Sequence, residues 1–364
     1  MFGDYYNGKR VLLTGHTGFK GSWLAEWLCS LGAEVHGYAL DPQPHEVLYD
    51  QLGLSARLAS DTRADLADRA ALAATVDRCR PDIVLHLAAQ PLVRLSYEIP
   101  LETFATNVMG TAHVLDALRS AGRPCALVCV TTDKCYENRE WLHAYREEDA
   151  MGGHDPYSAS KGAAELVISS YRRSFFGSDS GIRLASARAG NVIGGGDWAL
   201  DRIVPDCIRA LRQGRSIPVR NKIATRPWQH VLEPVGGYLH LAASLATSAD
   251  PGEFASAFNF GPNLTSNRTV ADLVRELIKH TGGEWNDASD PLARHEASKL
   301  NLAIDKAFHM LEWQPVWSFA DTLAMTAAWY LGDGAGESAT ELTRRQIAAY
   351  QSAAASAGIP WACA

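Results

Sequence analysis

The chain has 364 residues, of which 47% are hydrophobic and 21% are charged, and its formal net charge at pH 7 is −7. This balance is typical of a globular protein with a large core. An acidic chain with scattered Lys and Arg is a poor candidate for nucleic-acid binding, so local features must hold any anionic ligand.

The cysteines and the N-terminus bear on the cellular compartment. The cysteines number seven and contain no C-x-x-C pair, so they indicate reduced thiols, and Cys125 and Cys129 are predicted to be buried. MFGDYYNGKR lacks the apolar segment of a signal peptide. No apolar run approaches the ~20 residues that cross a membrane. We expect a soluble, cytoplasmic protein without a metal, because no His/Cys cluster has ligand spacing.

The first half of the chain alternates apolar runs with amphipathic stretches. Runs typical of strands are 10–14, 34–40, 83–87, 126–131 and 183–188. Helical spacing covers 22–31, 71–78, 108–120 and 160–175, and Gly32 is the expected cap at the end of the first helix. This alternation predicts an α/β fold of the Rossmann type, a doubly wound parallel sheet with helices on both faces.

The second half is more irregular. It begins with a stretch rich in Gly, Pro and Arg at 189–222, which includes a predicted helix near 205–213. Further helices are predicted at 226–249, 270–281, near 305–311 and in the last ~30 residues. A strand at 254–260 could return to the sheet, and 282–298 is predicted to be a polar loop.

A glycine-rich turn follows the first predicted strand. Gly15, Gly18 and Gly21 in VLLTGHTGFKG are spaced G-x-x-G-x-x-G. Glycine here allows a tight turn, close approach of the backbone to a pyrophosphate, and packing of helix on strand. The helix N-terminus offers N–H groups and a positive dipole to phosphates. We therefore predict a dinucleotide site, which also includes Thr17, Phe19 and Lys20.

Asp41 lies about 20 residues beyond the last of these glycines, after the second predicted strand. A carboxylate there can bind the ribose hydroxyls and repel a 2′-phosphate, which favours NAD over NADP. The alternative is a turn-forming Asp before Pro42. Residues at the end of the strand at 83–87 would let the cofactor lie flat, and they are Leu87, Ala88 and Ala89.

Tyr157 and Lys161 form Y-x-x-x-K in DPYSASKGAAE, which places both side chains on one helix face. A phenol with a pKa of about 10 is a poor base at neutral pH. We expect the Lys161 ammonium, together with a positive nicotinamide ring, to lower the pKa of Tyr157 and so provide a base. The alternative is a surface helix with an incidental Tyr and Lys, against which the glycine turn and the chain order argue.

These motifs together resemble the extended short-chain dehydrogenase/reductase family. Thr132, Asp133 and Lys134 end the strand at 126–131, and an Asp followed by an ionisable residue resembles the nucleotide-sugar 4,6-dehydratases of that family. Asp-Lys, where other dehydratases carry Asp-Glu, resembles their CDP-glucose branch. Other matching stretches are HTGFKGSWL, AAQPLVRLSY, YREEDAMGGHDPYS, RAGNVIGGGDWALDRIVPD and RPWQHVLEP. The resemblance reaches residue 330, and the loop at 284–299 is too divergent for transfer.

The resemblance implies roles for individual residues. It places Asp65 and Leu66 at the adenine, with an N-cap as the alternative for Asp65. Asn107 would bond the backbone around the site, and Thr132 would bond the sugar 4-oxygen. Lys161 would also hold the nicotinamide ribose. The implied substrate contacts are Gln90, Thr132, Asn191, Arg202, Val204 and Arg226.

The implied organisation is an NAD-binding domain of residues 1–188, to which 223–261 returns, and a smaller, partly discontinuous substrate-binding domain of 189–222 and 262–364.

The implied reaction is dehydration of CDP-glucose at C6 after oxidation at C4 by Tyr157, in a homodimer or higher homo-oligomer. Asp133 would be the acid for the C6 hydroxyl. Lys134 would be the C5 base, or would steady the enolate while a water acts as base. The rivals are a nucleotide-sugar 4-epimerase and an inactive nucleotide-sugar-binding subunit.

Overall fold

The computed structural model describes residues 1–44, 47–289 and 299–363. The strands, in chain order, are β1 Arg10–Thr14, β2 Glu34–Ala39, β3 Ser60–Arg63, β4 Ile83–His86, β5 Cys125–Val130, β6 Ile182–Arg188, β7 Val192–Ile193, β8 Ile217–Val219, β9 Thr225–Pro227, β10 Gln229–His230, β11 Ala257–Asn259, β12 Asn267–Thr269 and β13 Trp285–Asp287. The helices are α1 Phe19–Ser30, α2 Leu48–Gln51, α3 Arg69–Cys79, α4 Val93–Glu98, α5 Pro100–Phe104, α6 Gly110–Ala121, α7 Pro156–Ser174, α8 Ile203–Arg212, α9 Leu232–Thr247, α10 Val270–Thr281, α11 Asp305–Leu311, α12 Phe319–Gly334, α13 Ala339–Ser356 and α14 Pro360–Cys363.

Seven of the strands form one sheet in the order β11-β6-β5-β4-β1-β2-β3, and every pairing in it is parallel. The predicted Rossmann-type fold is therefore confirmed. The strand order reverses direction between β1 and β4. In such sheets ligands bind beyond the carboxyl ends of the strands at this switch point, which places β1, β4 and β5 at the centre of any site.

The central strands are buried on both faces. Alternate residues of β1 point to opposite sides, with Val11 and Leu13 in one hydrophobic cluster and Leu12 in the other. Strand β5 divides in the same way, and its Cys125 and Cys129 are buried as predicted. Because both faces are covered by helices, these strands are continuous apolar runs rather than alternating ones.

Several elements differ from the sequence predictions. Strand β3 was not predicted because SDTR is a half-buried edge strand without an apolar run. The helix predicted at 226–249 begins at Leu232, since the residues before it form β9 and β10. Part of the polar loop predicted at 282–298 is β13, which pairs with β8, while its residues 290–298 lie outside the described residues. The strand expected at 254–260 is shorter, but it does join the sheet as β11.

The C-terminal helices complete the larger core. Trp329 on α12, Tyr350 on α13 and Trp361 on α14 are almost fully buried in the cluster that also holds Trp27 of α1. These residues lie at the end of the resemblance or beyond it, and their packing follows from burying large aromatic surfaces. The division of the chain into two domains stays a prediction. Among the described helices, none combines the length and the apolar character needed to cross a membrane.

Candidate active site

The glycine-rich turn connects β1 to α1 at the switch point. Gly15 has φ +74°, and a Cβ there would lie 2.6 Å from the backbone nitrogen of Ala88. A Cβ on Gly21 would lie 2.0 Å from the carbonyl oxygen of Gly15. Helix α1 begins after Gly18, and Thr17 Oγ1 donates to the Leu40 carbonyl. The turn therefore has no room for side chains at Gly15 and Gly21. Helix α1 directs its N-terminus toward the region beyond the carboxyl ends of β1, β4 and β5, which is called the cleft from here on.

The acidic residues predicted for the adenosine lie at the adjoining strand ends. Asp41 is exposed just beyond β2. Asp65 is also exposed and accepts a hydrogen bond from the Ala67 nitrogen at 2.7 Å. The N-cap alternative for Asp65 is wrong, because Asp68 caps α3 by accepting from Ala71. Leu66 is buried, and its carbonyl oxygen is 2.9 Å from His113 Nδ1.

A buried network supports the end of β4. Asn107 lies in a π-helical turn of residues 105–109 and bonds both backbone groups of Gln90, and its amide also donates to Ser160. The Gln90 side chain bonds Leu92 and Thr103. Single π turns within helices occur often at functional sites. The network fixes the strand end, where the half-buried Leu87, Ala88 and Ala89 border the glycine turn.

Three side chains are hydrogen-bonded in series beside Tyr157. Thr132 lies next to the Tyr157 hydroxyl and lowers its pKa, and Thr132 Oγ1 donates to Asp133 Oδ1 at 2.8 Å. Asp133 Oδ2 accepts from Asn191 Nδ2 at 3.1 Å. Tyr157 and Thr132 are 8% and 5% exposed, and Asp133 is 1% exposed. The series brings the carboxyl group that follows β5 close to the phenol of α7.

Helix α7 carries Tyr157 and Lys161 from a defined start. Asp155 caps it by accepting from the Ser158 nitrogen, and Pro156 occupies the first turn. Burial lowers the pKa of Lys161 to about 8, against the opposing charge of Glu165. That Lys161 and a positive nicotinamide ring together lower the pKa of Tyr157 stays a prediction, and the protein alone does not lower it. Burial raises that pKa, Thr132 opposes the rise, and Asp133 adds to it.

Lys20 faces Lys161 and Asp133 as well as the glycine turn. Burial, together with the charges of Lys161 and Arg202, lowers the pKa of its ammonium to about 8, and Asp133 opposes this lowering. Phe19, beside it, is half-buried at the start of α1. Lys20 was predicted to contact the cofactor alone, but its charge is also part of the electrostatics around Asp133.

Lys134 lies in the single helical turn Asp133–Cys135 that follows β5. It is half-buried, and its backbone nitrogen donates to Thr132 Oγ1 at 3.4 Å. The turn directs successive residues to different sides, so Lys134 and Asp133 are adjacent in the chain without sharing one environment. This arrangement allows the two side chains to act on different atoms of one ligand.

The predicted substrate residues are not all at the cleft surface. Arg202 precedes α8 and donates to Asp197 at 2.8 Å. Arg226 is half-buried on β9, where its Nη1 donates to the Thr225 carbonyl at 2.9 Å. Asn191 has φ +52°. Val204 is 1% exposed and packs in the core, so its side chain offers no exposed surface to a ligand.

Within residues 1–44, 47–289 and 299–363, no group of three or more His, Cys, Asp and Glu is arranged to hold a metal ion. All seven cysteines are among the described residues and form no disulfide. The side chains brought together here include a buried phenol, a buried carboxyl group and a buried lysine.

A family model described as GDP-mannose 4,6 dehydratase matches residues 12–326. The chain belongs to this family. The CDP-glucose 4,6-dehydratase of Salmonella typhimurium is 45% identical over 355 residues, which cover 96% of this chain and 98% of that protein. The dTDP-glucose 4,6-dehydratase of Streptomyces antibioticus is 30% identical over 334 residues, covering 88% and 92%.

Solved structures share the fold of this GDP-mannose 4,6 dehydratase family member. DesIV, a dTDP-glucose 4,6-dehydratase from Streptomyces venezuelae crystallised with NAD, superposes with a TM-score of 0.76 at 24% identity and covers 91% of this chain and 99% of its own. The UDP-glucose 4-epimerase of Thermotoga maritima gives the same TM-score, 0.76, at 21% identity, with coverage of 89% and 99%. The fold alone therefore does not separate dehydratases from epimerases.

The sequence predictions did not include the pairing of His16, in the glycine-rich turn, with Asp61 on β3. His16 is fully buried, and its Nε2 lies 2.8 Å from Asp61 Oδ1 on β3. Asp61 also accepts from the Tyr49 hydroxyl at 2.6 Å. A Cβ on Gly37 would lie 2.5 Å from the His16 ring. A glycine within a strand often marks a place where another group approaches the backbone closely. Gly37 was therefore the sequence signal that a side chain packs against β2.

Proposed function

We propose that the protein is an NAD-dependent hydro-lyase that converts CDP-glucose into CDP-4-dehydro-6-deoxyglucose. The observation that carries the proposal is the hydrogen-bonded series Thr132–Asp133–Asn191, with the Tyr157 hydroxyl beside Thr132. It brings a base for the sugar C4 hydroxyl close to a carboxyl group that can act elsewhere on the same sugar. The 45% identity to a CDP-glucose 4,6-dehydratase over nearly the whole chain supports CDP-glucose as the substrate.

NAD fits the cleft because the backbone there leaves room that side chains would fill. The absence of Cβ atoms at Gly15 and Gly21 opens the turn, and α1 supplies N–H groups to a pyrophosphate. Asp41 would bond the adenosine ribose, and Lys161 the nicotinamide ribose. When bound, NAD would supply the hydride acceptor for oxidation at C4 and, once reduced, the hydride donor for C6, so no net oxidant would be consumed.

Tyr157 takes the proton of the 4-hydroxyl while Thr132 holds that oxygen. The ketone formed at C4 acidifies the C5 hydrogen. Asp133, protonated, gives its proton to the departing C6 hydroxyl as C5 loses its own. The amide of Asn191 can present either its NH₂ or its oxygen to Asp133, so the pair fits both protonation states of the carboxyl group.

Lys134 has one of two roles beside this acid. As a neutral amine it removes the C5 proton, or as an ammonium it steadies the enolate while a water removes that proton. The diphosphate would lie near Arg226 and Arg202, because a guanidinium binds phosphate oxygens bidentately and keeps its charge.

The proposal extends to assembly and location. A homo-oligomer formed through the helices beside the active site would cover exposed apolar residues of that region, which are Leu101, Phe104, Met109 and Leu166. Seven cysteines without a disulfide suit the reducing cytoplasm. Size measurement in solution tests the assembly, since a monomer contradicts it.

Transfer of deuterium tests the reaction and separates it from epimerisation. With CDP-glucose labelled at C4, the label is expected at C6 of the product, and solvent deuterium is expected at C5. Return of the label to C4 with the 6-hydroxyl intact would instead establish an epimerase. Tight NAD binding without turnover of any nucleotide glucose would establish an inactive binding subunit.

A further inference from the structure

Beneath the catalytic helix lies a buried carboxylate that the reaction scheme does not use. Glu165 follows Lys161 by one helical turn on α7, so the two side chains share a face. It is 4% exposed. Its carboxylate accepts hydrogen bonds from the hydroxyls of Thr131 and Ser186 and from Arg188 Nη2, the last at 2.9 Å. A buried carboxylate with this many donors is held as an anion.

Thr131 connects this carboxylate to the reacting groups. It directly precedes Thr132, which lies beside Tyr157, and its hydroxyl donates to Glu165. The chain leaves β5 at this point, where the Thr131 nitrogen also donates to the Ala187 carbonyl of β6 at 2.8 Å. The bond to Glu165 therefore adds an anchor on α7 immediately before Thr132 and Asp133.

Arg188 ties the same carboxylate to two further strands. It ends β6, and its Nη1 donates to the Tyr136 hydroxyl at 2.7 Å and to the Glu147 carbonyl at 2.9 Å. Tyr136 in turn donates to Asn259 on β11 at 2.7 Å. Glu165 is therefore the point at which α7, β5 and β6 meet, and its position is determined by all three.

We propose that Glu165 is a positioning residue for the reaction: it anchors Thr131, and so Thr132 beneath Tyr157, and it presents a fixed negative charge to Lys161. The inference rests on the proposed roles of Tyr157 and Lys161 in C4 oxidation. It does not depend on the dehydration steps, because an epimerase of this fold would use the same first step.

The charges around both groups agree with this role. Burial raises the pKa of Glu165, but Arg188 and the three hydrogen bonds outweigh it and leave that pKa lowered. Burial lowers the pKa of Lys161, and the negative charge of Glu165 is the largest effect that opposes this lowering. The other titratable groups that face Lys161 or Glu165 are Lys20 on α1, His86 on β4, Cys129 on β5, Cys135 after it, and Arg172 on α7.

The test is the pH dependence of C4 oxidation, followed as enzyme-bound NADH absorbance in a single turnover. Glu165→Gln keeps the shape and removes the charge. With that charge gone, Lys161 loses its proton at lower pH, so the alkaline limb of the rate profile is expected to move down by roughly one pH unit. An unmoved limb overturns the electrostatic role.

Two further variants keep the inference testable if the single change does not fold. Glu165→Gln with Arg188→Met removes the pair together, which avoids leaving one buried charge alone, and the same shift is expected. Thr131→Val removes only the anchor, so the oxidation rate is expected to fall roughly tenfold or more with the limb unmoved. An unchanged rate in Thr131→Val overturns the anchoring role.

Glu26→Gln is the matched control. Glu26 on α1 is also fully buried and paired with arginines, Arg57 and Arg344, but it lies outside the cleft. This variant is expected to lose stability while its alkaline limb stays with that of the wild type. A shift as large as that of Glu165→Gln would mean that loss of any buried carboxylate moves the limb, and would overturn the inference. Dehydration is measured in a separate assay of the same proteins. If the wild type oxidises C4 but eliminates no water, the proposed dehydratase function is contradicted and the inference about Glu165 is not.

Discussion

Gly190 lies directly against the carboxyl group of Asp133: a Cβ at position 190 would be 2.1 Å from the Asp133 carboxyl carbon. The next residue, Asn191, adopts φ +52° and bonds the same carboxyl group. The segment after β6 thus packs directly against the Asp133 side chain. The space that a side chain at position 190 would need is already occupied by Asp133, the proposed acid.

Gly190→Ala is therefore expected to displace Asp133 and to slow dehydration by roughly 10²-fold or more, since small misplacements of a reacting group are costly. The measurement is steady-state turnover of CDP-glucose, with folding followed by thermal unfolding. Gly177→Ala is the control, because a Cβ there meets no atom within 4 Å. Equal turnover in the two variants would contradict the role given to this contact.

Tyr157→Phe keeps the ring and removes the hydroxyl that lies beside Thr132. Loss of the base is expected to lower activity by roughly 10²–10⁴-fold, the range for acid–base groups, with little loss of stability. Single-turnover NADH absorbance checks that the loss is already present at C4 oxidation. Turnover close to that of the wild type would remove Tyr157 from the mechanism.

Asp133→Asn and Lys134→Met are each expected to suppress dehydration while C4 oxidation stays measurable as bound NADH. The reason is that elimination needs proton transfers at C5 and C6 that oxidation does not. Exchange of solvent deuterium into C5 separates the roles of Lys134: exchange that persists in Lys134→Met assigns the base to a water. Loss of NADH formation in both variants would instead place them in the oxidation step.

Arg226→Ala is expected to weaken CDP-glucose binding by about 1.5–3 kcal/mol, the range for hydrogen bonds to charged groups, and to leave NAD binding nearly unchanged. Calorimetric titration of each ligand measures both. Arg275→Ala is a suitable control, because Arg275 is an exposed residue of α10 paired with Asp272. A fall in NAD affinity alone would assign Arg226 to the cofactor or to the fold.

Glu233 predicts a pH-dependent stability. It is fully buried on α9 and accepts bonds from the backbone of Val316 and Trp317 and from the Tyr350 hydroxyl. Burial raises its pKa to about 7, against these hydrogen bonds. A raised carboxyl pKa contributes stability below the unfolded value of about 4.3, and this contribution is lost as pH rises through 7.

Glu233→Gln keeps the acceptor without the titration. The wild type is expected to lose about 3 kcal/mol of unfolding free energy between pH 4.5 and pH 7, following the shift of Glu233. Glu233→Gln is expected to lose much less over that range. Denaturant unfolding at a series of pH values measures both proteins, and parallel curves would show that another group titrates.

Local features of the sequence were sufficient to predict the central parallel sheet of this protein and the helices between its strands. Apolar runs of β1, β4, β5 and β6 and the helical spacing between them predicted a parallel sheet, because each signal lies within one short segment. The glycine turn and Y-x-x-x-K are local for the same reason: one needs a backbone without side chains, the other one helix face. The polar edge strand β3 carried no such signal and was not predicted.

Contacts between distant segments were decided only by the tertiary structure. The bond from Asn191 to Asp133 spans 58 residues, and that between His16 and Asp61 spans 45. Glu165 stood in the quoted motif without a role, since its partners Thr131, Ser186 and Arg188 come from other elements. Val204 shows the reverse, a residue expected at the substrate that packs in the core. A single sequence specifies the polar side chains, but the sheet that brings strand ends together decides which of them meet.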